Sequence, residues 1–202
     1  MIQVKTYDPP RINEKEILRY AGVRDKNADV ENIKALLSEC LAVLDGKLSY
    51  RVCYTEFNVR KENGEMDLGF VKVRSNSLEK NLKDSREIIL FAATVGIEID
   101  RFISRYSVIS PSKAYMFQAI GAERIEALCN AFCDDMAAEK ARQNKVIANR
   151  FSVGYGDLSL SLQRDIFLVL GCEKNIGLTL NDCLLMSPSK SVTAIIGVLP
   201  KE

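Results

Sequence analysis

The sequence predicts an α+β fold, with a mixed or antiparallel twisted sheet that contains hairpins and is packed by helices, one of them long and central. Three observations predict it. The hydrophobic period switches repeatedly between about 3.6 and 2 residues. Strands and helices come in mixed order with turn signals between strand-like runs, rather than in the strict alternation of a doubly wound parallel sheet. One helical pattern, opened by Ser110-Pro111, continues to about Arg142.

Asn13 followed by Glu16 forms a capping-box pattern for a short helix through Ile17, Leu18 and Tyr20, which Gly22 ends. Val30, Ile33, Leu37, Leu41 and Leu44 then recur at helical spacing, with Asn27 or Asp29 as cap and Gly46 past the end. From Leu48 the period becomes two. Tyr50, Val52 and Tyr54 share a parity that Phe57 and Val59 break, which suggests a bulge near Thr55. Asn63-Gly64 supplies a turn, and 68–73 reads as the returning strand of a β-hairpin.

Residues 87–94 form an apolar run suited to a buried strand, and Gly96 breaks it before a helix through Ile99, Phe102, Ile103 and Tyr106. The long helix carries the stripe Phe117, Gly121, Ile125, Leu128, Phe132 and Met136. A glycine inside a helix costs roughly 1 kcal/mol against alanine, so Gly121 points to close approach by another backbone or a ligand. Residues 150–157 have loop character, and Leu162, Ile166, Phe167 and Leu170 suggest a further helix. Two apolar strands, 183–186 and 192–198, are expected to close the chain around a Ser187-Pro188-Ser189-Lys190 turn.

The 202 residues fit one domain spanning 1–202, 47% hydrophobic and 27% charged. With 28 Lys and Arg against 27 Asp and Glu, no global field draws the chain to nucleic acid or an anionic membrane. No apolar run approaches the roughly 18 residues of a membrane span, and the N-terminus lacks a signal-peptide layout, so a cytoplasmic location is expected. Six cysteines occur without a C-x-x-C pair. Cys129 and Cys133 lie one helical turn apart, but no second close pair completes a tetrahedral site, and buried apolar roles are expected. There is no histidine, which removes Ser-His-Asp and Cys-His chemistry. No G-x-G-x-x-G turn of the usual methyltransferase type appears.

Arg150-Phe151-Ser152-Val153-Gly154-Tyr155 resembles the S-adenosylmethionine-binding loop of the reactivation domain of cobalamin-dependent methionine synthase, an arginine, three residues, then glycine-tyrosine. Phe91-Ala92-Ala93-Thr94-Val95-Gly96-Ile97-Glu98-Ile99-Asp100 is similar to the family's strand, Thr-x-Gly turn and acidic helix start. Ala119-Ile120-Gly121-Ala122-Glu123-Arg124-Ile125-Glu126-Ala127-Leu128 resembles its long helix. Leu178-Thr179-Leu180-Asn181-Asp182-Cys183 and Met186-Ser187-Pro188-Ser189-Lys190-Ser191-Val192 resemble its last helix-to-strand passage and final hairpin. The resemblance covers about 87–198, in the family's order.

It implies a domain that binds S-adenosylmethionine and supports reductive methylation of cob(II)alamin carried by a separate cobalamin-dependent methionine synthase or other corrinoid protein, with a flavodoxin-type electron donor. Arg150 would pair with the ligand carboxylate through its planar fork. Gly154 would let backbone approach the ligand, and Tyr155 would place a ring beside the sulfonium. Glu126 would accept from the ammonium or ribose, with Asn130 or Asp134 taking that place after a small helix shift. Two features depart from the family. No aspartate matches its N-terminal ligand contact within Ile12-Asn13-Glu14-Lys15-Glu16-Ile17, and the sequence stops at Glu202, before a strand bearing another tyrosine. Plainer readings stand beside these: Arg150 as a surface arginine capping the preceding helix, Tyr155 as turn chemistry, and Glu126 as a helix residue paired with a nearby base. A corrinoid-docking module that does not itself bind S-adenosylmethionine is the alternative function.

Overall fold

In a computed structural model of the chain, residues 1–23, 30–62 and 64–201 are described. The expected caps Asn27 and Asp29, and the turn residue Asn63, lie outside them. The α+β expectation holds. At the centre is a five-stranded sheet in which β1 (Gln3–Tyr7), β2 (Tyr50–Asn58), β6 (Glu87–Thr94), β10 (Ser191–Pro200) and β7 (Lys145–Ile147) lie side by side in that order. Every pairing in it is antiparallel.

Against one face pack α1 (Glu14–Tyr20), α2 (Val30–Leu44), α4 (Glu98–Ile109) and the long α5 (Pro111–Ala141). Against the other lie α3 (Asn76–Asn81), α6 (Gln163–Leu170) and α7 (Cys172–Ile176). Small ladders complete the fold: β3 (Arg60–Glu62), β4 (Glu65–Asp67) and β5 (Lys72–Val73) form one, β8 (Thr179–Leu180) and β9 (Met186–Ser187) another.

Successive strand residues face opposite sides, so a sheet covered on both faces needs apolar side chains at both parities. In β6, Ile89, Phe91 and Ala93 enter the α5 core while Ile88, Leu90 and Ala92 enter the α6 core. This corrects the reading of β2. Its register with β6 runs unbroken from Arg51 to Asn58, with no bulge at Thr55. The parity change is instead a strand with two buried faces: Tyr50, Val52 and Tyr54 meet α5, Cys53 and Phe57 the opposite core.

The hairpin expected between β2 and 68–73 is also corrected. Both edges of β2 are occupied, by β1 and β6. The chain instead makes the β3–β4 hairpin and turns again at Gly69, where the Leu68 N–H donates to the Val71 carbonyl at 2.9 Å, so β5 pairs with β4. The final hairpin differs likewise. Asn181 Oδ1 accepts from the Leu185 N–H at 2.9 Å and Leu184 takes a φ of 64°, so the apolar run at 183–185 is a turn. β9 then pairs with β8, and β10 with β6 and β7.

Asn13 caps α1 as expected, accepting from the Glu16 N–H at 3.2 Å, but only half of the capping box forms. The Asn13 N–H goes to Glu123 Oε1 at 3.1 Å, while Glu16 pairs with Arg19. Glu123 and Arg124 are buried on α5, Arg124 donating to the Glu123 carboxylate at 2.5 and 2.6 Å and to the Pro10 and Arg11 carbonyls at 2.6 and 3.0 Å. At Gly121 the closest neighbours are side chains rather than another backbone. A Cβ there would lie 2.9 Å from Ile99 Cγ1 and 2.9 Å from Lys190 Cγ, so the glycine makes room for two side chains.

Candidate functional site

After β7 the chain runs along the outer edge of β10, and Phe151 exchanges both main-chain bonds with Ile195, at 2.8 and 2.9 Å. That bridge sets the direction of its neighbours. Phe151 packs into the α6 core, and Arg150, one residue away in extended chain, points to the α5 side. There its Nη1 donates to Asn130 Oδ1 at 2.8 Å and its Nη2 makes a close ion pair with Glu126 Oε2.

The Arg150 guanidinium is half-buried. Burial works against its charge, but Cys129, Glu126 and Cys133 outweigh this and hold its pKa above the ordinary arginine value. The Cys129 thiol beneath it is pushed up to about 12 by burial, with Arg150 opposing the rise. Among the described residues no group of three or more His, Cys, Asp or Glu side chains could hold a metal ion.

Beyond Phe151 the loop folds back on itself. Gly154 has a φ of 84° and its N–H donates to the Leu158 carbonyl at 2.9 Å. A Cβ on Gly154 would meet Leu160 Cδ1 at 3.2 Å, so its glycine requirement comes from the turn, and it stands outside the cleft lining. Tyr155 is 68% exposed at the rim. Asp157 pins the loop to α3, accepting from the Ser75 hydroxyl at 2.5 Å and from the Asn76 and Ser77 N–H groups at 2.7 and 3.0 Å.

Arg150, Glu126 and Tyr155 thus come together on the lining of a cleft of about 790 Å³. This lies within the usual range for small-molecule sites, roughly 300–1,000 Å³. One wall is apolar, from Leu160, Leu184, Leu185, Met186 and Val192; the floor holds Gln163, Ser191 and Thr193. The turn at 187–190 forms the far rim and is tied down by residues of the Thr-x-Gly stretch. The Asp100 carboxylate accepts from the Ser189 N–H at 2.8 Å and from its hydroxyl. The Ser191 hydroxyl bonds Thr94 Oγ1 at 2.9 Å.

Glu126 also borders a second cleft of about 550 Å³, shared with Asn13, Asn130 and Asp134. Of the two alternatives to Glu126, Asn130 reaches Arg150, and Asp134 lines this second cleft and not the first. Sequence reasoning missed Gln163 and Thr193. The one available signal was a glutamine placed directly beside the apolar stripe of α6, next to Leu162.

No family model and no curated protein matches the chain. Among solved structures it is similar to the MetH reactivation domain in its crystal structure bound to AdoHcy, with a TM-score of 0.73 and 14% sequence identity. The match covers 100% of this chain and 79% of that one. The two share a fold. Among the described residues no helix is long and apolar enough to cross a membrane.

Proposed function

We propose that this chain binds S-adenosylmethionine in the cleft between α5, the 150–158 loop and β10, and serves the reductive methylation of cob(II)alamin on a separate cobalamin-dependent methionine synthase or other corrinoid protein in the cytoplasm. The observation that carries the reading is that Arg150, Glu126 and Tyr155 meet on one cleft, in a fold shared with a domain whose structure holds AdoHcy.

The residues present fit a zwitterionic sulfonium. Arg150 and Glu126 are a matched pair of opposite charges, and an amino-acid end offers the same pair reversed. Its carboxylate takes the guanidinium fork and its ammonium takes the Glu126 carboxylate, with Asn130 Oδ1 beside it, so each charge exchanges one partner for another. Tyr155 contributes a ring to the sulfonium, a cation–π contact of about 0.5–2 kcal/mol. The apolar wall excludes water from the rest of the ligand. Bound there, S-adenosylmethionine would supply its sulfonium methyl to a corrinoid reduced by one electron from a flavodoxin-type donor, leaving AdoHcy in the cleft. The chain's own residues bind and orient, so no histidine or paired nucleophile is required.

Calorimetry with AdoHcy and S-adenosylmethionine tests this. Micromolar binding is expected, weakened more than tenfold in Arg150→Ala and nearly as much in Arg150→Lys, since an ammonium cannot offer two parallel bonds. A second reading, a corrinoid-docking module that leaves S-adenosylmethionine unbound, is favoured by one observation: Glu126 and Asn130 already answer Arg150. No binding, alone or with a corrinoid protein present, decides for it.

A further inference from the structure

Gln163 opens α6 at the floor of the cleft and is 3% exposed. Its carbonyl oxygen accepts from the Thr193 hydroxyl at 3.2 Å. Its amide nitrogen has no protein partner among the described residues and is not sealed in the interior, so it faces the cleft. An amide donor that opens on a cleft and has no protein partner is answered there by water or by a ligand group, and a ligand acceptor placed on it replaces that water.

A second arm lies beside it. Along an antiparallel strand, alternate residues turn their main-chain groups to the same edge. Ile195 turns both of its groups outward to Phe151, and the Gly197 carbonyl faces the same way, accepting from Ala148 at 2.8 Å. By this alternation the Thr193 N–H and C=O also face outward, and among the described residues this edge of β10 is bridged at Ile195 and paired with β7 from Val198 to Pro200, leaving Thr193 outside both. The floor therefore offers two donors and one acceptor in a partly apolar slot. A planar heterocycle with ring-nitrogen acceptors next to an exocyclic amino donor, such as adenine, complements that set. A carboxylate or a plain hydrocarbon does not.

We infer that Gln163 is a specificity-determining residue of this site, its amide nitrogen donating to a ring nitrogen of the adenine end of the ligand, while Arg150 holds the amino-acid end. The inference rests on the S-adenosylmethionine reading, and a ligand cut in two separates them. Methylthioadenosine carries the base and ribose without the carboxylate and ammonium. Gln163→Glu keeps the length and the oxygen facing Thr193 but replaces the donor with an acceptor; Gln163→Met removes both polar groups and guards against misfolding from a buried charge. Thermal unfolding establishes that each variant is folded.

Calorimetry is expected to show both Gln163 variants binding methylthioadenosine and AdoHcy about tenfold more weakly than the unaltered chain. Arg150→Ala should lose AdoHcy affinity and keep that for methylthioadenosine. If both Gln163 variants bind methylthioadenosine within twofold of the unaltered chain, the assignment of Gln163 is overturned and the S-adenosylmethionine reading stands. If the unaltered chain binds neither ligand, the reading itself fails and takes this inference with it.

Discussion

Replacing Arg124 by methionine tests how the N-terminal segment is fixed beside the site. Arg124 and Glu123 have side chains 3% and 5% exposed, and the guanidinium makes four hydrogen bonds. Two hold the Glu123 carboxylate and two hold the Pro10 and Arg11 carbonyls. Methionine fills much of the volume but leaves Glu123 in the interior with one partner, the Asn13 N–H. Breaking one side of a buried pair costs about 3–5 kcal/mol, mostly the penalty of the stranded charge. For a domain of this size that corresponds to a fall in Tm of roughly 6–20 °C. Urea unfolding with an unchanged m value would measure it directly. The double variant Glu123→Gln with Arg124→Met removes the charge as well and should recover part of the loss. If Arg124→Met costs less than about 1 kcal/mol, or the double variant is no more stable than the single one, the pair does not act as described.

Three further outcomes are expected. The Asp157 carboxylate is held well below the usual carboxylate range by the Ser75 hydroxyl first, then the Ser77 N–H, against a counteracting burial, with the Asn76 N–H adding to it. A depressed folded-state pKa contributes stability that is complete above the unfolded value of about 3.9 and is lost as pH falls through the folded value. Protease sensitivity of the 150–158 loop should therefore be flat from pH 8 to 5 and rise only in strong acid, and Asp157→Ala should show the raised sensitivity at neutral pH. Gly121→Ala gains roughly 1 kcal/mol of helix propensity but forces Ile99 and Lys190 aside, an overpacking cost of about 1–3 kcal/mol; a net loss of about 1 kcal/mol by urea unfolding is expected, and a gain would contradict the packing seen. Phe132→Ala removes a fully buried ring whose centroid lies 5.2 Å from that of Tyr54 and 4.7 Å from that of Phe91. It should cost about 3–5 kcal/mol by the same measurement.

Two kinds of element were legible in the sequence. The stripe on α5 from Phe117 to Met136 is buried as its spacing implied, and 87–94, an unbroken apolar run, is the strand β6, buried on both faces. β2 was misread because apolar residues at both parities look like a phase error when one face is assumed to be wet. β1 gave no signal, since as an edge strand it leaves Val4 45% exposed and alternates weakly. The apolar 183–185 run looked like a strand because periodicity does not see the Asn181 side chain that closes the turn. At the site, the placement of Arg150 depends on Phe151 bridging Ile195, a contact between residues 44 apart that no local pattern encodes. Gln163 was invisible for a related reason. A glutamine at a helix start reads as a solvated residue until the strand behind it is known.

The central strands of the sheet, with apolar residues buried on both sides, have a consequence for alignment. Sliding one strand past its neighbour by a single residue normally drags apolar groups into water, but here it would only trade one oily layer for another. The ionic side chains near the strand ends are what make such slippage unfavourable. Arg51 reaches the Asn175 carbonyl at 2.7 Å on one side of β2, and Glu56 takes Lys140 at 2.7 Å on the other. Glu87 on β6 takes Lys145 on β7, also at 2.7 Å. Shifted by one place, Arg51 and Glu56 would each stand on the wrong side, with its counterpart behind the sheet. A few charged groups thus act as detents that hold a greasy ratchet at one notch.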